Sequence, residues 1–278
     1  MLVSATDMLN AAVKGHYGIA AFNTNDLEWT RSILQAAEEL QSPVIIQCTA
    51  GAAKWQQGFK VVKDVVEDLV DYMNITVPVA MHLDHGSYED CFTAIDAGFT
   101  SIMYDGSHEP TFEMNLERTA EIVKLCHGKG ISVEAEVGGI GGVEDGVASN
   151  GELADPQECK AIADLGVDFL ACGIGNIHGL YPEDWAGLSM DRLAEIKALT
   201  GDLPLVLHGG SGIPDDQLEE TFVNGINKFN VGTEFLDLYL KTMGEFTAEK
   251  KGWTLDFPTY LQGVLMNYLE KKMELSKF

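Results

Sequence analysis

Histidines that end apolar runs are the residues of this sequence that most directly suggest chemistry. His85, His178 and His208 each follow such a run, and each is followed by glycine. Chance would give about 0.7 His-Gly pairs in a chain of this composition, yet the sequence has four, the remaining one being His127-Gly128. If the fold brings these three imidazoles together, they would bind Zn²⁺ tetrahedrally and leave a fourth position open, as in a catalytic metal site.

Two carboxylates could exchange protons next to such a metal. Asp84 precedes His85 and is a candidate general acid, the alternative being a hydrogen-bond partner of a histidine. Strand alternation would send Asp84 and His85 to opposite faces, so both enter one site only if the strand ends here, which Gly86 favours. Glu144 lies in a glycine-rich stretch, 138–151, which we interpret as a mobile active-site loop. Its carboxylate could remove a proton from the carbon next to a bound ketone. The alternative is that Glu144 belongs to a solvated acidic loop without a catalytic role.

A fold with many strand ends on one rim is needed to bring these residues together. Short apolar runs alternate about eight times with segments of helical period, which is the βα repeat. This pattern favours a single (β/α)8 TIM barrel over an open sheet, with one domain spanning 1–278. An extra C-terminal helix, 258–274, is expected to pack outside the barrel or to reach a partner in a homodimer or homotetramer. The predicted strands are 18–23, 44–49, 77–83, 100–104, 132–137, 168–173, 205–208 and 228–231.

The other histidines have different predicted places. His82 lies inside the third predicted strand and is expected to pack in the barrel or to support a metal ligand. His16 precedes the first strand and is expected to be structural. His108 follows the fourth strand on the same rim as the site, with no assigned role, and His127 is expected at the opposite rim.

Two segments after the last two predicted strands indicate a phosphate site. Residues 209–212 (GGSG) follow the seventh strand, and residues 230–233 (NVGT) follow the eighth. The corresponding loops of a barrel commonly bind phosphate through backbone N–H groups and a helix N-terminus. A barrel with a metal, a loop carboxylate and a phosphate cradle predicts a carbon–carbon lyase acting on a phosphorylated ketose.

Composition and charge exclude several other classes. The net charge of -25 repels polyanions, so nucleic acid is not an expected partner. The five cysteines are far apart without a Cys-x-x-Cys pair, and we expect reduced core thiols. The N-terminus has no basic segment followed by an apolar one, and no 18 apolar residues run together. These features predict a cytoplasmic protein with no membrane partner.

The whole chain resembles the class II fructose-bisphosphate aldolases, and within them the shorter group that includes the tagatose-bisphosphate aldolases. By this resemblance His85, His178 and His208 are the zinc ligands, and Glu134 is a ligand at an alternate metal position. Asp84 exchanges a proton with the C4 hydroxyl, and Glu144 handles the proton on the dihydroxyacetone phosphate carbon. The matching segments are 22–29, 77–86, 101–108, 133–138, 173–179 and 207–214.

The resemblance also implies how substrate binds. Dihydroxyacetone phosphate is expected to lie against backbone and side-chain groups that are helped by a monovalent cation, Na⁺ or K⁺, on backbone carbonyls. Asn23 is implied near the far half of the sugar. The residues implied for the dihydroxyacetone phosphate half are Gly179, Gly209, Ser211, Asn230 and Thr233.

Three departures from the family pattern concern that far half. Thr49 replaces a serine, Gly232 replaces Asn, Asp or Ala, and residues 256–259 (DFPT) replace an Asp-Pro-Arg segment whose arginine reaches the C6 phosphate. Because a threonine cannot replace an arginine fork, the alternative substrate is a ketose 1-phosphate whose C6 group is not phosphate, for example 6-deoxy-6-sulfofructose 1-phosphate. More distant alternatives are a metal-dependent hydrolase on the same fold and a non-catalytic binding protein.

Overall fold

A closed barrel of parallel strands forms the centre of this computed structural model, which describes residues 1–144, 147–249 and 256–276. The strands in chain order are β1 (Ile19–Asn23), β2 (Val44–Thr49), β3 (Val79–Gly86), β4 (Ser101–Tyr104), β5 (Ser132–Val137), β6 (Gly141–Glu144), β7 (Val147–Ser149), β8 (Phe169–Cys172), β9 (Ile177–His178), β10 (Leu205–Leu207) and β11 (Ile226–Val231). Eight of them close the barrel in the order β1-β11-β10-β8-β5-β4-β3-β2. The predicted barrel is therefore confirmed, with strand ends displaced by at most a few residues.

Helices surround the barrel and connect its strands. They are α1 (Thr6–Gly15), α2 (Leu27–Leu40), α3 (Ala50–Trp55), α4 (Phe59–Tyr72), α5 (Tyr88–Ala97), α6 (Phe112–His127), α7 (Pro156–Ala163), α8 (Met190–Thr200), α9 (Asp215–Val223), α10 (Thr233–Glu249) and α11 (Asp256–Glu274). Side-chain caps begin several of them directly after a strand end. Thr49 accepts from the Ala52 N–H at the start of α3, and Ser87 forms a capping box with Asp90 at the start of α5. The chain thus leaves each of these strands at a fixed point.

The inside of the barrel is apolar at one end and polar at the other. At the N-terminal end, α1 closes the barrel, and its Met8 and Leu9 belong to an apolar cluster with Ile45, Phe169 and Val206. Towards the C-terminal end, buried polar and charged side chains replace the apolar ones. They are Gln47, His82, Asp84, Glu134, His208, Lys228 and Asn230. Burying so many polar groups is costly unless each is hydrogen-bonded, so this end of the barrel is built for something other than stability.

Two short strands, β6 and β7, lie within the glycine-rich stretch that the sequence analysis interprets as a mobile active-site loop. Strands β6 and β7 pair antiparallel, and β6 also pairs parallel with β9, where Gly142 lies opposite His178. Glycine is needed at this contact, because a Cβ on residue 142 would lie 2.0 Å from the His178 carbonyl oxygen. Strand β6, which carries Glu144, is thereby attached to the segment that carries His178.

The C-terminal helix and the cysteines have the positions expected from the sequence. The C-terminal helix α11 packs outside the barrel, against α2 and α10. All five cysteines are buried and free. Among the described residues, no helix is long and apolar enough to cross a membrane.

The N-terminal end of the barrel is held together by Asp168, and this predicts a stability effect. Its carboxylate accepts from the Thr6 hydroxyl at 2.8 Å, from the Val133 N–H at 2.8 Å and from His127 Nε2 at 2.9 Å. We expect Asp168→Ala to lower the free energy of unfolding by about 1–3 kcal/mol, because the Val133 N–H loses its partner.

Urea-induced unfolding measures this change, and Asp164→Ala is the matched control. Asp164 forms an exposed ion pair with Lys160 one turn away, so its removal should change stability by less than about 0.5 kcal/mol. Equal effects of the two substitutions would contradict the role given to Asp168.

Candidate active site

A cavity of about 440 Å³ opens at the polar end of the barrel. Every residue that the sequence predicted to bind substrate lines it. The lining also includes Asn25, Trp29, Gln47, Trp55 and Leu236, to which the sequence had given no role. The predicted residues in the lining are Asn23, Thr49, Gly179, Gly209, Ser211, Asn230, Gly232 and Thr233.

The three predicted ligand histidines converge beside this cavity. One ring nitrogen from each of His85, His178 and His208 lies within 4.8 Å of the others. His85 Nε2 and His178 Nε2 are 3.2 Å apart, close to the spacing of about 3.3 Å between ligands of a tetrahedral zinc ion with bonds of about 2.0–2.1 Å. The donor set and its spacing therefore fit a divalent metal ion.

Hydrogen bonds behind the histidines select the nitrogen that each presents. His85 Nδ1 lies 2.7 Å from Asp105 Oδ2, and His208 Nε2 lies 2.8 Å from Glu134 Oε1. Because a carboxylate only accepts, each of these ring nitrogens carries a proton, so His85 Nε2 and His208 Nδ1 are the nitrogens left for a metal ion. His208 Nδ1 accepts from Asn230 Nδ2 at 3.1 Å. Burial acts to lower the pKa of His85, but the hydrogen bond to Asp105 and the charges of nearby carboxylates raise it well above its ordinary value. Burial and the nearby His85 lower the pKa of His208 to about 4, so this imidazole is neutral at neutral pH.

Asp84 and His85 enter the same site although strand β3 does not end before them. The strand continues to Gly86, and its pairing with β4 shifts between Leu83 and Gly86. His85 has a φ of 48°, a left-handed conformation that few residues other than glycine adopt. This turn of the backbone breaks the alternation where β3 ends, at Gly86, so both side chains enter the site as the sequence-based condition required.

Three amide side chains hold the carboxylate of Asp84. Asn230 Nδ2 donates to Oδ1 at 3.1 Å, while Asn23 Nδ2 at 3.1 Å and Gln47 Nε2 at 2.9 Å donate to Oδ2. Burial acts to raise the pKa of Asp84, but the nearby charges of His85 and Lys228 outweigh it and lower that pKa below its ordinary value. An ionised, fixed carboxylate beside the cavity is suited to accept a proton.

Gly232 has a structural reason in this arrangement. A Cβ on residue 232 would lie 2.8 Å from Asn23 Oδ1, closer than such atoms approach. The same Asn23 oxygen accepts from Gln47 Nε2 at 3.1 Å. Glycine at 232 therefore leaves Asn23 in the orientation in which its amide donates to Asp84.

The carboxylates of β5 have two different environments. Glu134 lies behind His208, and its Oε2 is 2.9 Å from Lys228 Nζ and 3.1 Å from His82 Nε2. Glu136 forms, with His85 and Asp105, a second group of side chains close enough to hold a metal ion. Burial and the nearby Asp105 raise the pKa of Glu136 to about 8, so this carboxyl is largely protonated at neutral pH.

The remaining predicted residues take the following places. His82 is fully buried, with Nδ1 2.8 Å from the Ser101 hydroxyl, so it supports the site from behind. His108 lies on the expected rim, with Nε2 3.8 Å from Asp105. His16 ends α1, and His127 lies at the opposite rim. Glu144 ends β6, and its side chain lies outside what the structure describes.

Sequence reasoning missed Gln47, Asp105 and Lys228. Gln47 and Lys228 stand inside barrel strands, and Asp105 directly follows β4. A polar side chain in a strand that is buried on both faces was the available signal. It could have pointed to the barrel interior but not to a particular partner.

The chain is similar to class II fructose-bisphosphate aldolases over nearly its whole length. Residues 3–276 match the family model described as fructose-bisphosphate aldolase class-II. The chain is 54% identical over 245 residues to a fructose-bisphosphate aldolase of Streptococcus pyogenes, covering 88% of this chain and 83% of that one. With the fructose-bisphosphate aldolase of Mycoplasma pneumoniae it shares 47% identity over 263 residues, or 95% of this chain and 89% of the other. The solved YdjI aldolase of Escherichia coli K12 matches with a TM-score of 0.85 and 30% identity, covering 99% and 97% of the two chains.

The contact between His85 and Asp105 generates a prediction about metal affinity. We expect Asp105→Ala to weaken Zn²⁺ binding by roughly 10- to 100-fold, because the ring of His85 loses the acceptor that orients it. Competition with a chromogenic chelator measures the affinity of the metal-free protein. Asp64→Ala is the control, since Asp64 is paired with Lys60 on the outer helix α4. An unchanged affinity in Asp105→Ala would contradict this role.

Proposed function

This chain belongs to the class II fructose-bisphosphate aldolase family, and we propose that it cleaves fructose 1,6-bisphosphate reversibly to dihydroxyacetone phosphate and an aldehyde. The family consists of metal-dependent aldehyde-lyases. The observation that carries the proposal for this chain is the Asp84 carboxylate, fixed by three amides beside three convergent imidazoles at the edge of one cavity. Such a pair of features supplies a base and an electrophile to the same small substrate.

Zinc is the metal that we propose, held by His85 Nε2, His178 Nε2 and His208 Nδ1. Three imidazoles suit this ion, and carboxylate-rich sites suit magnesium or calcium better. When bound, the ion would act as a Lewis acid towards the ketone oxygen of the substrate. Glu134 supports this site by accepting from His208, and its implied role as a ligand at an alternate position stays a prediction.

Asp84 is the group that we propose to move the proton at C4. In the cleavage direction its carboxylate takes the C4 hydroxyl proton as the C3–C4 bond breaks, and C4 leaves as the aldehyde carbon. The electron pair of that bond remains on the dihydroxyacetone phosphate half, which then takes up a proton at C3. Glu144 is proposed to deliver this second proton, in line with its place on β6 beside His178.

The dihydroxyacetone phosphate half is proposed to lie against Gly179, Gly209, Ser211, Asn230 and Thr233. All five line the cavity, and Thr233 is the first residue of α10, so a helix N-terminus faces the expected anion. A monovalent cation, Na⁺ or K⁺, on nearby backbone carbonyls is part of the same proposal.

The aldehyde half is where the alternative substrate remains open to test. Asn23, Thr49 and Gly232 line the cavity, and no Lys or Arg does so among the described residues. A C6 phosphate would therefore need a cation from outside this lining. The names of the relatives favour the bisphosphate over a ketose 1-phosphate with another C6 group, such as 6-deoxy-6-sulfofructose 1-phosphate.

A homodimer or homotetramer in the cytoplasm is proposed as the state in which the protein works.

Removal of the metal is the first test of this function. We expect release of dihydroxyacetone phosphate from fructose 1,6-bisphosphate at a kcat/KM of roughly 10⁴ M⁻¹s⁻¹ or more, to be lost after chelation and restored by Zn²⁺. Fructose 1-phosphate and the 6-sulfonated analogue, measured in parallel, test the C6 group. Stronger turnover of either compound would identify it as the substrate in place of the bisphosphate. The aldolase function would be overturned if dihydroxyacetone phosphate were not released in a metal-dependent way from any of these ketose 1-phosphates.

Asp84→Asn tests the proton transfer separately from binding. The amide keeps the size of the side chain but cannot accept the C4 proton as a carboxylate does, so kcat should fall by roughly 10²- to 10⁴-fold. KM and zinc affinity should change much less. A kcat within about tenfold of the unmodified enzyme would argue against Asp84 as the base.

A further inference from the structure

A lysine buried inside the barrel suggests a role that the proposed mechanism does not use. Lys228 has no solvent exposure and does not line the cavity. We propose that Lys228 is a positioning residue, whose hydrogen bonds fix the amide of Asn230 towards Asp84 and the carboxylate of Glu134 towards His208. The proposal rests on the metal-dependent aldolase function given above.

The first arm of Lys228 determines how the Asn230 amide is oriented. An ammonium group has three donors and no acceptor, and Lys228 Nζ lies 2.8 Å from Asn230 Oδ1. The amide must therefore present its oxygen to Lys228 and its NH₂ to Asp84 Oδ1 at 3.1 Å and to His208 Nδ1 at 3.1 Å. The opposite orientation would place the amide oxygen against a carboxylate and the NH₂ against an ammonium, so both contacts would be repulsive.

The second arm determines which ring nitrogen of His208 is protonated. Lys228 Nζ lies 2.9 Å from Glu134 Oε2, which leaves Oε1 to accept from His208 Nε2 at 2.8 Å. With the proton on Nε2, the lone pair of His208 lies on Nδ1, the nitrogen proposed to bind the metal. A single ammonium group thus orients the proposed base and one proposed ligand together.

The surroundings of the ammonium leave it few other partners. Both Lys228 and Glu134 side chains are fully buried, and the ring of Phe169 lies 6.0 Å from Nζ on another side. Without the ammonium, Glu134 Oε2 would lose its charged partner, and the carboxylate would be free to turn away from His208. Lys228 and Asn230 are two residues apart on β11, so strand alternation points both side chains into the barrel.

The variant Lys228→Met tests the proposal, because methionine fills the space of the lysine stem without donating. We expect zinc affinity of the metal-free protein to fall by roughly 10- to 100-fold. At saturating zinc, kcat should fall by at least about tenfold while KM for fructose 1,6-bisphosphate stays within about threefold, since Lys228 contacts no substrate. Lys228→Arg, which keeps donors, should recover part of both losses.

A matched control separates positioning from a general loss of stability. Lys197 is a half-buried lysine on α8 that donates to the Leu203 carbonyl at 2.9 Å, away from the site. Lys197→Met should lower the melting temperature without changing zinc affinity or kcat. Equal zinc affinity and kcat in Lys228→Met and the unmodified enzyme would overturn the proposal, as would equal changes in the Lys197→Met and Lys228→Met variants.

A double-mutant cycle with Glu134→Gln covers the case in which Lys228→Met does not fold. The double variant removes both buried charges, so it leaves no unpaired ion in the barrel. If Lys228 acts through Glu134, the double variant should bind zinc no more weakly than Glu134→Gln alone, whereas additive losses would contradict this coupling. Zinc affinity is measured without substrate, so it tests the positioning role of Lys228 independently of the proposed function. If fructose 1,6-bisphosphate is not the substrate, the unmodified enzyme will not cleave it, but the differences in zinc affinity between the variants will remain.

Discussion

The buried carboxylate of Asp84 is the constraint on which the rest of the site depends. It is 2% exposed, and an isolated ion at such a position would cost far more free energy than a small domain can supply. Amide donors from β1, β2 and β11 satisfy it. Because those donors come from three strands, the carboxylate exists in this form only when the barrel has closed around it.

The same requirement explains why the barrel interior changes character along its axis. At the end closed by α1, the apolar cluster contributes to stability through burial. At the other end, a connected set of polar groups replaces this packing, including the Glu134–Lys228 ion pair and the amides around Asp84. A network of this kind contributes little net stability, but it fixes each side chain in one orientation. The apolar end of the barrel thus contributes stability, and the polar end positions the side chains of the site.

Strand β6, which pairs with β7, is attached to the segment that carries His178. Its pairing with β9 places Gly142 against the backbone of His178, at a distance that admits no side chain. A change in the position of β6 would therefore act directly on the backbone of His178, one of the three convergent histidines. Glycine is frequent in this stretch because the backbones approach closely here, as well as because the chain turns.

The sequence by itself determined the barrel and the convergence of His85, His178 and His208 at one rim, and the family resemblance implied eight of the residues that line the cavity. The barrel and the convergence follow from local patterns, namely apolar runs, helical periods and the residues that end strands. The tertiary structure alone decided that His85 adopts a left-handed backbone, that Gly232 makes room for Asn23, and that Gln47, Asp105 and Lys228 support the site. Each of these depends on contacts between strands that are distant in the chain, and a one-dimensional pattern indicates that a side chain is buried without indicating which partner it meets.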